Sequence, residues 1–236
     1  MTVTPRPSRK IAREQRKEIK AAKSPVRTLL TARTPTQAEY LKALRTADQV
    51  FGIGPAGTGK TYIASRWAIR QVIDGAKERV VIARPTVAKP KHRMGFLPGG
   101  AGEKQEPWLL PVLDAFADEC GASTVEKMRR SGQIVFAAFE HMRGRTFRNA
   151  TVVLDEGQNC DFTDLQLFLT RIGEGSQILV NGDLDQIDIP DSGLDRIIGM
   201  IGRHGVDAAV VRFDVDDVVR SGTAAQWVRA FRKEAA

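Results

Sequence analysis

Lys60 closes a run of small residues, Gly54-Pro55-Ala56-Gly57-Thr58-Gly59-Lys60-Thr61, whose types and order suit the capture of a polyphosphate. The glycines permit backbone dihedrals that turn successive N–H groups inward, so phosphate oxygens meet main-chain amides and not side chains. Lys60 adds a cation for the β- and γ-phosphates, and the Thr61 hydroxyl is placed to ligate Mg²⁺. The bare pattern arises by chance in roughly one chain in a hundred of this length, so its surroundings must carry the argument. They do: Val50-Phe51-Gly52-Ile53 supplies a strand before the loop, and Tyr62 to Ile73 a helix after it.

A nucleotide site of this kind needs an acidic element on a neighbouring strand. Thr151-Val152-Val153-Leu154 is an apolar run that ends in Asp155-Glu156. Asp155 is suited to hold the water shell of Mg²⁺, and Glu156 to polarise an attacking water as general base, a pairing that favours hydrolysis over transfer to a small molecule. Asn181-Gly182-Asp183-Leu184-Asp185-Gln186 follows another apolar run, which puts Gln186 at the same carboxyl edge as a sensor of the γ-phosphate. Charge developing on the transferred group requires a cation beyond Lys60, with Arg84, Arg143, Arg145, Arg171 and Arg220 as candidates. Spacing alone does not choose among them.

The elements that must position these residues are legible as six short apolar runs, at 49–53, 79–83, 133–138, 151–155, 177–181 and 208–213. Helical stretches are expected at 36–45, with Thr36 as N-cap, and at 60–74, 107–119, 123–131, 162–172 and 193–203. This βαβα order predicts an α/β domain with a doubly wound, mostly parallel sheet. The connection from Arg84 to Glu106 is long and rich in Pro and Gly, and reads as a substrate loop.

Length and composition set the outer limits. The 236 residues, 42% hydrophobic, suit one sizeable domain. No run approaches the roughly 20 apolar residues of a membrane-spanning helix, so a cytoplasmic protein without a membrane partner is expected. Cys120 and Cys160 match no zinc or redox spacing and read as free thiols. The net charge of +8 is concentrated: residues 1–36 hold 10 Lys/Arg against 2 acidic residues, and the remainder is neutral. A basic arm at 1–36 ahead of a catalytic domain at 37–236 points to a polyanion partner.

Taken together, the motifs resemble those of the PhoH family, P-loop ATPases related to the RecA-like motor domains of superfamily 1 helicases. The resemblance rests on residues 52–61, Arg84-Pro85, Gly95-Phe96-Leu97-Pro98-Gly99 and Met142-Arg143-Gly144-Arg145-Thr146. Further blocks are Leu154-Asp155-Glu156 with Gln158-Asn159, residues 168–173, Gly182-Asp183 with Gln186-Ile187-Asp188, Ser192-Gly193-Leu194 and Asp217-Val218-Val219-Arg220. Gly157 departs from the alanine usual there, a small-for-small change. The resemblance implies ATP with Mg²⁺, with Gln37 reading the adenine. It implies Arg220 as an arginine finger, and Arg84 at the start of a nucleic-acid-facing block with Lys89, Lys91 and Arg93. It also implies coupling to single-stranded nucleic acid, RNA favoured over DNA. Because such motors place ATP between two domains and this chain has residues for one, a homo-oligomeric ring, a hexamer, is expected. Arg220 or the Arg143/Arg145 pair would then complete a neighbour's site. A nucleotide-gated scaffold with incidental turnover is the competing reading.

Overall fold

The computed structural model describes residues 29–85, 106–137, 139, 142–219 and six positions between 222 and 234. Residues 1–28, Lys89, Lys91, Arg93 and Arg220 lie outside the described residues.

Helix α1 spans Pro35–Thr46. Its N-cap is Thr34, two residues before the expected Thr36: the Thr34 hydroxyl accepts from the Gln37 N–H, and Pro35 takes the first-turn place where a missing N–H costs nothing. Strand β1 (Gln49–Ile53) runs through the loop into α2 (Lys60–Ile73), followed by β2 (Arg79–Ala83). Then come α3 (Glu106–Cys120), α4 (Ala122–Arg130), β3 (Ile134–Ala137) and β4 (Ala150–Leu154). The series closes with α5 (Phe162–Leu169), β5 (Gln177–Gly182), α6 (Leu194–His204) and β6 (Ala209–Arg212).

The sheet is parallel throughout, in the order β3-β2-β4-β5-β1-β6. β5 therefore separates the loop-bearing β1 from the acid-bearing β4, and the segments leaving β1, β4 and β5 emerge side by side at one edge. Side chains alternate along each strand and fill two layers. Val50, Val80, Ile82, Val153 and Leu179 pack against α1 to α4. Phe51, Val81, Val152, Ile178 and Val180 face α5 and α6. The strict βαβα alternation fails once: among the described residues, no α-helix joins β3 to β4. The buried side chains of Met142 and Phe147 cover the sheet there, anchored by a bridge from Phe147 to Ile172.

Candidate nucleotide-binding site

The loop after β1 holds a shape that only its glycines allow. Gly54 has φ +142°, with the Phe213 carbonyl where a side chain would stand, and Gly57 and Gly59 both have φ +87°. Four neighbours fix it. The Gly54 N–H donates to Gly182 O (3.0 Å) and the Ala56 N–H to Asp183 Oδ2 (3.1 Å). The Val219 N–H donates to Gly57 O (3.0 Å), and Gln37 Nε2 to Thr58 O (2.9 Å). Lys60 Nζ folds into the loop and donates to the carbonyls of Gly54 (2.6 Å) and Pro55 (2.7 Å).

At the end of β4, Asp155 is buried and accepts from Thr61 Oγ1 at 2.7 Å. Burial pushes its carboxyl above the ordinary range, against the Thr61 hydrogen bond and the nearby Arg84 and Lys60 charges. Glu156 follows in the left-handed region (φ +58°), an uncommon place for a residue with a side chain and one met where function over-determines the backbone. Its two oxygens receive Arg84 Nη2 at 3.1 Å and Gln158 Nε2 at 2.7 Å. Arg84 Nη1 also lies 3.8 Å from Asp155 Oδ2. Lys60, Thr61, Arg84, Asp155, Glu156 and Gln186 thus line one cleft of about 340 Å³.

Mg²⁺ fits this donor set. No group of three or more His, Cys, Asp or Glu able to hold a metal occurs among the described residues. A site made from the Thr61 hydroxyl, Asp155 and nucleotide phosphates needs none, since Mg²⁺ keeps several waters and takes few protein ligands.

Other expected residues go to different places. Gln37 is buried, its Oε1 accepting from the Arg33 N–H (2.8 Å) while its Nε2 ties α1 to the loop. It lines a second cavity of about 630 Å³ with Gly59, Tyr62 and Arg66. Arg143 lies in a third, of about 740 Å³, which Arg84 also lines and where Asp161, Asp164 and Asp191 balance the charge. Arg145 stands over the Phe147 ring beside Glu78 and Arg79, at the amino edge of the sheet and away from its own cleft.

Sequence reasoning gave Gln158 no role, yet its amide joins the site together. Oε1 accepts the Asp183 N–H (3.0 Å), while Nε2 serves both Glu156 and the Gln186 carbonyl (3.2 Å). Its nearness to the acid pair was the available signal. Asn181 and Tyr40 were likewise given no role, although Tyr40 OH donates to Asn181 Oδ1 at 2.7 Å inside the core.

A parallel, doubly wound sheet that feeds this loop and sets an acid pair beside it defines a P-loop NTPase fold. The chain belongs to the PhoH family, whose profile, described as PhoH-like protein, matches residues 29–232. It is 40% identical over 209 residues to a PhoH-like protein of Bacillus subtilis (strain 168), covering 87% of this chain and 65% of that one. It is 37% identical over 206 residues to Protein PhoH of Escherichia coli (strain K12), covering 86% and 58% respectively. The chain therefore spans less than two thirds of the length of these relatives. Among solved structures it is similar to the large terminase of a thermophilic bacteriophage, with TM-score 0.48, 11% identity, and 82% of this chain and 48% of that one covered. The corresponding figures for the Pif1 helicase of Candida albicans are 0.39, 16%, 78% and 40%. No helix among the described residues is long and apolar enough to cross a membrane.

Proposed function

We propose that the protein hydrolyses ATP and couples turnover to single-stranded nucleic acid, RNA favoured, as a cytoplasmic homo-oligomer in which neighbouring subunits complete each other's sites. The convergence of Lys60, the Thr61–Asp155 pair and Glu156 in one cleft carries this reading. Loop amides and Lys60 bind the β- and γ-phosphates. Lys60 leaves the Gly54 and Pro55 carbonyls to do so, exchanging neutral acceptors for anionic ones. Bound Mg²⁺ would offset phosphate charge and orient the terminal group, with Thr61 and Asp155 as its protein contacts. Glu156 takes the proton of the attacking water, and Gln186 reads the terminal phosphate from the far wall. Gln37, beside the cavity that opens next to Gly59, contacts the adenine. An arginine from the next subunit, Arg220 or the Arg143/Arg145 pair, meets the charge that develops in transfer. The position of Arg145, remote from its own cleft, suits a role across an interface better than one in its own subunit. Polyanion contacts fall to the arm at 1–36 and to Arg84, Lys89, Lys91 and Arg93, and a hexameric ring is the assembly expected.

Phosphate release, with and without single-stranded RNA or DNA at low salt, tests the reading. Stimulation that fades as salt rises is expected. Turnover unchanged by either polymer, with no salt-dependent binding, overturns the coupling, and no turnover under any condition overturns the hydrolase.

A further inference from the structure

We infer that Asn181 donates a hydrogen bond to the terminal phosphate of ATP, and that Tyr40 orients it to do so. This rests on the reading of the cleft as an ATP site. Asn181 stands near the end of β5, the strand between β1 and β4, paired in register with Gly52. It follows Val180, which pairs with Leu154, so Asn181 lies level with Asp155. Strand alternation puts it on the sheet face that α1 and α2 cover. Asn181 is 1% exposed, and it lines the same cleft as Lys60, Thr61 and Glu156.

An asparagine one residue from the end of a wholly buried strand calls for an explanation, because strands disfavour it and burial penalises an unpaired amide. Half of the amide is accounted for. Tyr40, itself fully buried, donates to Oδ1 at 2.7 Å. Burial drives its phenol pKa far upward, so it remains a donor at any working pH. The other half is not: Asn181 Nδ2 is buried and has no hydrogen-bond partner among the described residues. A phenol hydroxyl can donate or accept, so the surroundings set the orientation: turned over, the amide would offer its oxygen to a cleft lined by Asp155 and Glu156 and to phosphate oxygens. Gly52 preserves the pair, since a side chain there would press on Asn181 Oδ1 at 2.9 Å and on the Tyr40 ring at 3.0 Å. The amide nitrogen is therefore a fixed donor, prepaid in desolvation, at a wall of the cleft where ATP has an oxygen-rich group and ADP has none.

Asn181→Leu removes the donor while keeping the branched heavy-atom shape, Tyr40→Phe removes only the orienting hydroxyl, and the double variant removes the polar pair together. Affinities for MgATP and MgADP, by competition with a fluorescent nucleotide, are read beside thermal unfolding and phosphate release. In Asn181→Leu, ATP affinity is expected to fall about tenfold or more while ADP affinity holds within about twofold, the cost of one hydrogen bond to a charged group. Tyr40→Phe should show a smaller loss of the same sense. The double variant should recover melting temperature relative to Asn181→Leu without recovering preference for ATP. If Asn181→Leu does not fold, the double variant set against Tyr40→Phe gives the same comparison. ATP and ADP affinities that fall together, or an ATP preference that returns with stability in the double variant, would mean that Asn181 only packs or holds a water, and the inference fails alone. Wild-type protein that binds neither nucleotide overturns the ATP reading and this inference with it.

Discussion

Two clusters of charge, one joining α2 to α3 and one lining the cleft at the start of α2, are wired differently. In one, Glu119 is saturated: Arg66 gives Nε (2.8 Å) and Nη2 (2.6 Å) to one oxygen, and Arg70 gives the same two groups, at 2.8 and 2.6 Å, to the other. The Glu119 side chain is 0% exposed and Arg66 4%. In the other, Lys60 is held by carbonyls, Asp155 by one hydroxyl and a distant guanidinium, and Glu156 by one arginine and one glutamine. Charges fully met by opposite charges in fixed forks have nothing left to offer a ligand. Charges met by neutral or single partners can exchange them for phosphate, metal or water. The first cluster clamps α2 to α3, and the second keeps its charges exchangeable, as the proposed chemistry requires.

Removing Lys60 should sharpen that contrast most. Lys60→Ala is expected to lower phosphate release by a factor on the order of 10³ or more while leaving the fold intact, because the carbonyls it releases can turn to water. A comparable loss of melting temperature would mean that the lysine braces the loop, and the contrast would break. Glu156→Gln should follow, with turnover down by about 10²-fold or more and ATP still bound, measured as nucleotide retained after gel filtration. Retention of ordinary turnover would take the general-base role from Glu156.

How far these residues could be read from sequence follows the same division. Six strands and the helices around them were legible because each strand is a short apolar run bounded by turn residues, and the Gly54–Thr61 loop and the Asp155-Glu156 pair because they are local in sequence. What escaped was long-range. Gln158 was seen as part of a motif, but its bonds reach 25 and 28 residues ahead, to Asp183 and Gln186. Tyr40 meets Asn181 across 141 residues, and no spacing rule predicts such a pair. Arg84 was read both as a candidate cation of the site and, by resemblance, as part of a nucleic-acid face, and spacing could not show that its guanidinium reaches Asp155 and Glu156.

The clamp supplies the next test. Glu119→Ala leaves the buried Arg66 guanidinium and the partly exposed one of Arg70 without their carboxylate, and breaking a buried pair from one side costs about 3–5 kcal/mol. Urea unfolding should show that loss, whereas the ATP concentration for half-maximal turnover should move only a few-fold at a temperature where the variant remains folded. If turnover collapses while stability holds, the clamp belongs to the site and the two clusters are one.

The smallest expected effect separates two aspartates by the sign of their pH dependence. The folded protein holds Asp155 above the ordinary aspartate range because burial outweighs its partners, so its ionised form costs stability above the folded pKa. That cost disappears as pH falls through the folded value to about 3.9. Asp217 is also desolvated, but the Asp214 N–H and the hydroxyls of Thr34 and Thr36 outweigh this and hold it below the ordinary range. Its ionised form therefore adds stability above the unfolded pKa, a contribution lost as pH falls through the folded one. Urea midpoints across pH should then move in opposite directions. Asp155→Asn should be more stable than wild type near pH 7.5 though poor in turnover, and Asp217→Asn less stable, with both differences closing in acid. On the proposed reading Asp155 awaits a divalent cation, whereas Asp217 finds its donors within the fold, tying the segment after β6 to the start of α1. An Asp155→Asn variant less stable than wild type at neutral pH would show that the Thr61 and Arg84 contacts already satisfy the carboxylate, and would move Asp155 from the reactive cluster to the structural one.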